Sequence, residues 1–273
     1  MSKSKRRDIP VYQTPLIETH CHLDYLDQEQ LQHTLVRSRE VGIERIITIA
    51  VSAANLERVF NLTRVAGDIW GTQGIHPHEA EGFDDAVADI IQERARDARI
   101  VAVGEIGLDY FYDHADRAVQ RRVFSRQLAL AVELDLPVVI HTREADADTR
   151  AILAEYSPDL RRKGVIHSFT SSLELAEYCL GEGFMLGFNG ITTFNRADNV
   201  RAVVAITPIG QLVLETDSPY LTPVPYRGRP NAPFYLPFVA EQVAQTRQLP
   251  VEQLLAAVRH NSMALFFPAE AGS

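Results

Sequence analysis

The chain has 273 residues, 46% hydrophobic and 23% charged, an ordinary balance for a soluble globular protein and a length that suits one (β/α)8-sized domain. Its formal net charge of −9 argues against broad electrostatic adhesion to nucleic acid or an anionic membrane, yet leaves room for a small phosphate site where metal ions supply positive charge. Two cysteines, Cys21 and Cys179, are too few for a disulfide framework and fit a reducing, cytoplasmic compartment, and no apolar run reaches the ~18 residues of a membrane span.

The opening "MSKSKRRDIP" is basic but lacks the apolar stretch of a secretory signal. Residues 1–14 are therefore read as a disordered basic start, with a weak nucleic-acid contact as the alternative, and residues 269–273 as a flexible end. Between them, over 15–268, short apolar runs begin near Leu16, Arg45, Ile69, Ile100, Pro137, Gly164, Phe184 and Gln211. Most are separated by stretches with helical periodicity, such as "QLQHTLVRSREVG" and "RAVQRRVFSRQLALAVELDL"; in the latter Val119, Val123, Leu128, Leu130 and Ala131 make an apolar face. Gly42, Gly67, Gly164 and Gly183 precede or open the following strand. Eight strand-plus-helix units in one domain-sized chain predict a parallel (β/α)8 TIM barrel, with a doubly wound open sheet as the competing architecture.

The polar residues favour the barrel. The first run, "LIETHCHLDYL", ends in Glu18, His20, His22 and Asp24, and residues two apart on a strand share a face. Later runs end in His76 and His78, in Glu105 and Asp109, in His141, in His167, and in Glu215 and Asp217. In a parallel barrel those carboxyl ends converge on one rim, where active sites of this fold are built. Any one histidine at a strand end is ordinarily structural or surface-exposed. Coincidence at His20, His22, His141, His167, Glu105 and Asp217 is a different matter. His33, His114 and His260 lie away from strand ends and are read as ordinary residues.

Four imidazoles and two carboxylates suit Zn²⁺, Mn²⁺, Fe²⁺ or Ni²⁺ better than a dedicated Mg²⁺ cage, and six ligands exceed the need of one open catalytic ion. Two divalent cations account for all six: one on His20 and His22, one on His141 and His167, Glu105 between them, and Asp217 on the first ion and acting as general base. The expected reaction is metal-assisted hydrolysis of a phosphodiester, another ester or an amide.

Taken together, "ETHCHLD", "GIHPHE", "GEIGLDY", "IHTRE", "IHSFTSS" and "ETDSPYL" resemble the TatD family of metal-dependent nucleases within the amidohydrolase-like barrels, over Leu16 to Phe267. The resemblance implies a (β/α)8 barrel, divalent cations including Mg²⁺, and 3′→5′ exonuclease or endonuclease activity on DNA, some members being D-aminoacyl-tRNA deacylases. It implies the same six metal residues. Glu18 stands where the family usually has Asp, Ser168 where it has Cys, and Ser171 where it has Gly. From its parity, Glu18 is expected beneath the histidines, orienting a ligand.

For substrate, Arg143 is a candidate for a phosphate, against a salt bridge to Glu144 or Asp146. Arg227 and Arg229, on the loop after the eighth strand, are candidates for a phosphate against simple solvation. His76 is a candidate contact ahead of His78, and Tyr110 and Phe111 could stack on a base or pack as a lid. A metal-dependent nuclease acting on single-stranded DNA ends is the leading expectation, for a monomer with no membrane partner. An ester or amide hydrolase with the same ligands, such as the tRNA deacylase, is the alternative, and a non-enzymatic metal module comes third.

Overall fold

The computed structural model describes residues 7–269. Eight parallel strands follow one another around a single sheet in chain order: β1 (Leu16–Cys21), β2 (Ile43–Thr48), β3 (Ile69–Gln73), β4 (Ile100–Asp109), β5 (Val138–Arg143), β6 (Gly164–Ile166), β7 (Met185–Phe188) and β8 (Leu212–Leu214). The last strand returns to the first. An isolated parallel bridge joins Cys21 to Ser218, and Asp217 N–H donates to His20 O at 2.9 Å. The expected (β/α)8 barrel is the observed fold, and an open sheet is excluded by that return.

Helices cover the strands from outside: α1 (Gln28–Glu40), α2 (Leu56–Leu62), α3 (Asp85–Arg94), α4 (Arg117–Leu134), α5 (Asp146–Tyr156), α6 (Leu173–Gly181), α7 (Asp198–Ile206), and, after β8, both α8 (Leu236–Arg247) and α9 (Val251–Phe266). Their starts are written locally. Asp27 and Gln30 form a reciprocal capping box on α1, and Asp84, Asp116 and Ser172 cap α3, α4 and α6 through their side chains. With both faces covered, the strands are buried almost throughout, and all ten residues of β4 are buried.

Strand starts fall within two residues of the expected positions. The glycines divide in role. Gly42 follows α1 at φ 88°, a left-handed conformation that ends the helix, but Gly164 opens β6 because a Cβ there would meet Val138 O at 2.2 Å. Near the strand starts, the second residues of β1, β4, β5, β6 and β8 (Ile17, Val101, Val139, Val165 and Val213) cluster with Phe266 and Phe267. This apolar plug leaves the carboxyl rim free for polar groups.

The opening segment differs from expectation. Residues 1–6 and 270–273 lie outside the described residues, but 7–14 is held against the last two helices. Arg7 and the Tyr12 hydroxyl both reach Glu241 on α8, and the Gln13 and Thr14 N–H groups donate to the Glu252 carboxylate on α9 at 2.8 and 3.1 Å. Hydrogen-bonding side chains on a fixed helical surface order this stretch, which composition alone could not reveal.

Candidate metal centre

All six nominated residues meet at the carboxyl rim. His20 and Glu105 stand on β1 and β4 and His141 on β5, while His22, His167 and Asp217 follow the ends of β1, β6 and β8. Two irregularities of register fall here, between Glu18 and Cys21 and between Gly104 and Ile106, so that the ladder is locally re-aimed around His20 and Glu105. Gly107 permits a close approach just above: a Cβ there would lie 1.9 Å from His141 O. That contact brings β4 hard against β5 and sets His141 beside Glu105.

Glu105 is the hub. Its Oε2 lies 3.4 Å from His20 Nε2, and its Oε1 lies 2.9 Å from His167 Nε2, 3.2 Å from His141 Nδ1 and 3.5 Å from His76 Nε2. Asp217 Oδ1 stands 3.5 Å from His22 Nε2 and 3.7 Å from His20 Nε2. Three overlapping trios result, His20–His22–Asp217, His20–Glu105–His167 and His76–Glu105–His141, with ligand atoms within 4.8 Å of one another in each. His20 and His167 stack face to face with ring centroids 3.8 Å apart.

The electrostatics follow from this crowding. Burial works to raise the Glu105 carboxyl, but His167, His76 and His20 around it prevail and hold it well below the usual carboxylate range. Asp217 is likewise lowered, against burial, chiefly by His22. Burial lowers His20, helped by the neighbouring His167, and lowers His76 further. His167 and His141 go the other way: their acids, Glu105 with Glu215 and Asp109 with Glu105, overcome burial and raise them. The acids of the cluster are thus held ionised.

The supporting residues were only partly expected. Glu18 is fully buried, but its Oε1 accepts from the backbone N–H groups of His20 (3.0 Å) and Thr216 (2.9 Å), so it pins the end of β8 to β1 rather than orienting an imidazole. Burial pushes its carboxyl up to about 8, against those hydrogen bonds. Asp109 Oδ2 meets His141 Nε2 at 2.9 Å and His78 Nε2 at 3.1 Å, fixing both rings. Glu215 accepts from Ser168 N–H at 2.6 Å and faces His167 Nδ1 at 3.3 Å.

Two buried glutamines on α4 support the site through backbone groups. Gln120 exchanges hydrogen bonds with the backbone of Asp109 (2.9 and 3.2 Å), and Gln127 with that of Ile75, beside His76 (2.7 and 3.0 Å). The signal was there: two amides seven residues apart, two turns along one helix face, beside an apolar stripe.

The cluster forms the floor of a cavity of about 650 Å³. His76, His78 and Arg143 line it, and the Arg143 guanidinium lies over the rings of Phe111 (3.9 Å) and Tyr112 (4.8 Å), with no ion pair to Glu144 or Asp146 among the described residues. His114, read as ordinary, packs its ring on His78 at 4.4 Å. Arg227 does not line the cavity; it stacks on Phe194 at 3.7 Å, because the loop after β8 turns it outward. Tyr110 bonds Asp148 at 2.5 Å and is no lid.

The family model "TatD related DNase" matches residues 17–267. The chain belongs to the TatD family of metal-dependent hydrolases. An uncharacterized metal-dependent hydrolase, YabD of Bacillus subtilis (strain 168), is 34% identical over 252 residues, covering 92% of this chain and 98% of the relative. The 3′-5′ ssDNA/RNA exonuclease TatD of Erwinia amylovora is 37% identical over 236 residues, covering 84% and 91%. The crystal structure of the TatD homologue YjjV from Escherichia coli K12 superposes with a TM-score of 0.87 at 33% identity, covering 92% of this chain and 97% of that one.

The residues of this TatD-family chain suit a cation. His20 Nε2 is buried without a hydrogen bond, between the Glu105 and Asp217 carboxylates. A buried polar atom left so is costly, and a divalent metal is a partner that imidazole nitrogens accept in place of a hydrogen bond. No helix among the described residues is long and apolar enough to cross a membrane.

Proposed function

We propose that this TatD-family protein is a two-cation phosphodiesterase that removes nucleotides from the 3′ ends of single-stranded nucleic acid, DNA first. The observation that carries this reading is the Glu105 carboxylate, whose Oε2 faces His20 while its Oε1 faces His141 and His167. His20, His22 and Asp217 would hold one cation, His141 and His167 the other, with Glu105 shared. Zn²⁺, Mn²⁺, Mg²⁺, Ni²⁺ or Fe²⁺ bound there would supply Lewis acidity to the phosphoryl group and acidify the attacking water.

The chain's own groups do the rest. Asp217 turns Oδ1 toward both histidines and lines the cavity, where it is placed to take the proton of the attacking water. Glu105, kept ionised by its histidines, holds the two halves of the cluster at a fixed spacing. Arg143 is braced by Phe111 and Tyr112 on the cavity wall, where its fork suits phosphate oxygens. Arg227, set away from the cavity, is left for a more distant phosphate of the chain.

Nucleic acid is favoured as substrate by the Erwinia amylovora relative, and a cavity with the cluster at its floor suits an end better than the middle of a duplex. Every residue of the cluster comes from one chain, so a monomer suffices. Both cysteines are free and buried, in keeping with a cytoplasmic setting.

The test is end-labelled single-stranded DNA incubated with Mn²⁺ or Mg²⁺, alongside Asp217→Asn. A ladder of shortened products that the variant fails to make is the expected result. No shortening with any cation, together with hydrolysis of an aminoacyl ester or amide such as D-aminoacyl-tRNA, would replace this reading by the ester and amide one.

A further inference from the structure

Two tyrosines at the mouth of the cavity have no part in the chemistry above. Tyr25 ends the 3₁₀ turn Leu23–Tyr25 that follows β1, and Tyr220 lies in the loop after β8. Their ring centroids are 6.2 Å apart and the planes stand at 82°, so the rings form a corner. Tyr25 lies almost parallel to His22, 5.3 Å away at 14°, while Tyr220 meets His22 at a steep angle, 6.3 Å away at 71°. The corner therefore adjoins the His22–Asp217 side of the cluster.

Both rings line the cavity and both stay half open to solvent, 49% for Tyr25 and 53% for Tyr220. Their frame is nonetheless rigid. Leu26 N–H donates to Leu23 O at 3.1 Å, Tyr220 N–H donates to Asp217 O at 3.0 Å, and the Asn231 amide donates to Tyr220 O at 2.6 Å. Two rings presented at a fixed angle offer a face and an edge, with little side-chain freedom left to lose on binding.

We infer that Tyr25 and Tyr220 form the stacking corner for the nucleobase of the 3′-terminal nucleotide, an inference that rests on the phosphodiesterase reading. A diester lying across the cluster has a nucleoside on either side. On the far side, beside His78 and His141, the aromatic surface of Phe111 and Tyr112 already carries the Arg143 guanidinium. On the near side no cation covers Tyr25 or Tyr220 among the described residues. Rings read a base by its π-face, so the corner accepts any of the bases without preference.

The experiment measures binding rather than turnover. Two 5′-labelled oligonucleotides are compared by fluorescence anisotropy with the Mg²⁺-loaded protein, one with a normal and one with an abasic 3′-terminal nucleotide, each with a phosphorothioate at the terminal linkage to slow hydrolysis. The normal end binds about tenfold to a hundredfold more tightly than the abasic end, the span set by base–aromatic stacking. Tyr25→Ala and Tyr220→Ala each bring that ratio down toward one, and Tyr25→Phe keeps it. If Tyr25 served only to brace His22, both oligonucleotides would weaken together and the ratio would survive, which overturns the inference. A ratio of one in the unaltered protein also overturns it, as does failure to bind either oligonucleotide. The ratio with no hydrolysis of the ordinary phosphodiester would keep the corner and remove the nuclease reading instead.

Discussion

The protein treats its polar groups in two opposite ways, on its outer surface and at its carboxyl rim. Outside, arginines meet acids pairwise within the chain: Arg39 with Asp68 at 2.6 Å, Arg64 with Asp97 at 2.6 Å, Arg259 with Glu44 at 2.6 Å. At the rim, four imidazole nitrogens and a Glu215 oxygen are buried without a hydrogen bond. Each such group costs about 1–3 kcal/mol, a burden that folding alone does not relieve. Those surface pairs are made as soon as the chain has folded, whereas at the rim folding leaves buried polar groups without partners.

That contrast can be broken most decisively at Asp217. Asp217→Asn is expected to lower kcat about 10²–10⁴-fold with the far-UV circular dichroism unchanged, and a loss below tenfold would remove it from proton transfer. Chelation should abolish cleavage and lower Tm, because a cation that binds only the folded rim stabilises it by mass action. Retained activity and an unmoved Tm after exhaustive dialysis against chelator would show the rim to be as self-sufficient as the surface.

Smaller effects sharpen the boundary between the regions. Asp109 satisfies His78 and His141 within the chain, so Asp109→Asn should cost about 10–100-fold in activity or metal affinity, read by kinetics and metal analysis. Gln127→Leu leaves the Ile75 backbone groups, next to His76, unpaired and should lose about 1–3 kcal/mol in urea unfolding. The smallest effect belongs to the surface. Burial raises the Asp68 carboxyl, but the Arg39 hydrogen bond outweighs it and the folded value is depressed. Its contribution is therefore present above the ordinary carboxylate value and lost as pH falls through the lower, folded one. Because Arg39 is half exposed, the contribution is at most about 1 kcal/mol. A stability curve for Asp68→Asn that still tracked the parent's through that acid window would assign the pH dependence to other groups.

The barrel and the meeting of six residues were legible because each polar residue ends an apolar run, and strand ends of a parallel barrel share one rim. What lay beyond depended on loops and on side-chain reach. Glu18 has the parity of a ligand-orienting acid, yet its carboxylate turns to two backbone N–H groups, a choice that spacing does not encode. Arg227 follows the strand that carries Asp217, but the path of the intervening loop leads it to Phe194. Tyr25 and Tyr220 lie 195 positions apart, and only closure of the barrel makes them neighbours.

That closure has a consequence of its own. Between β8 and β1 there is one bridge, at Cys21 and Ser218, reinforced by the Thr19 hydroxyl on Leu214 O and by Glu18 on Thr216 N–H. His20 and His22 stand on one bank of this join and Asp217 on the other. A fluctuation that parts the two banks by an ångström or two would separate His20 and His22 from Asp217 while the seven strand ladders stayed intact. Affinity for a cation at that trio would thus be a gauge of how firmly the chain's beginning is fastened to its end.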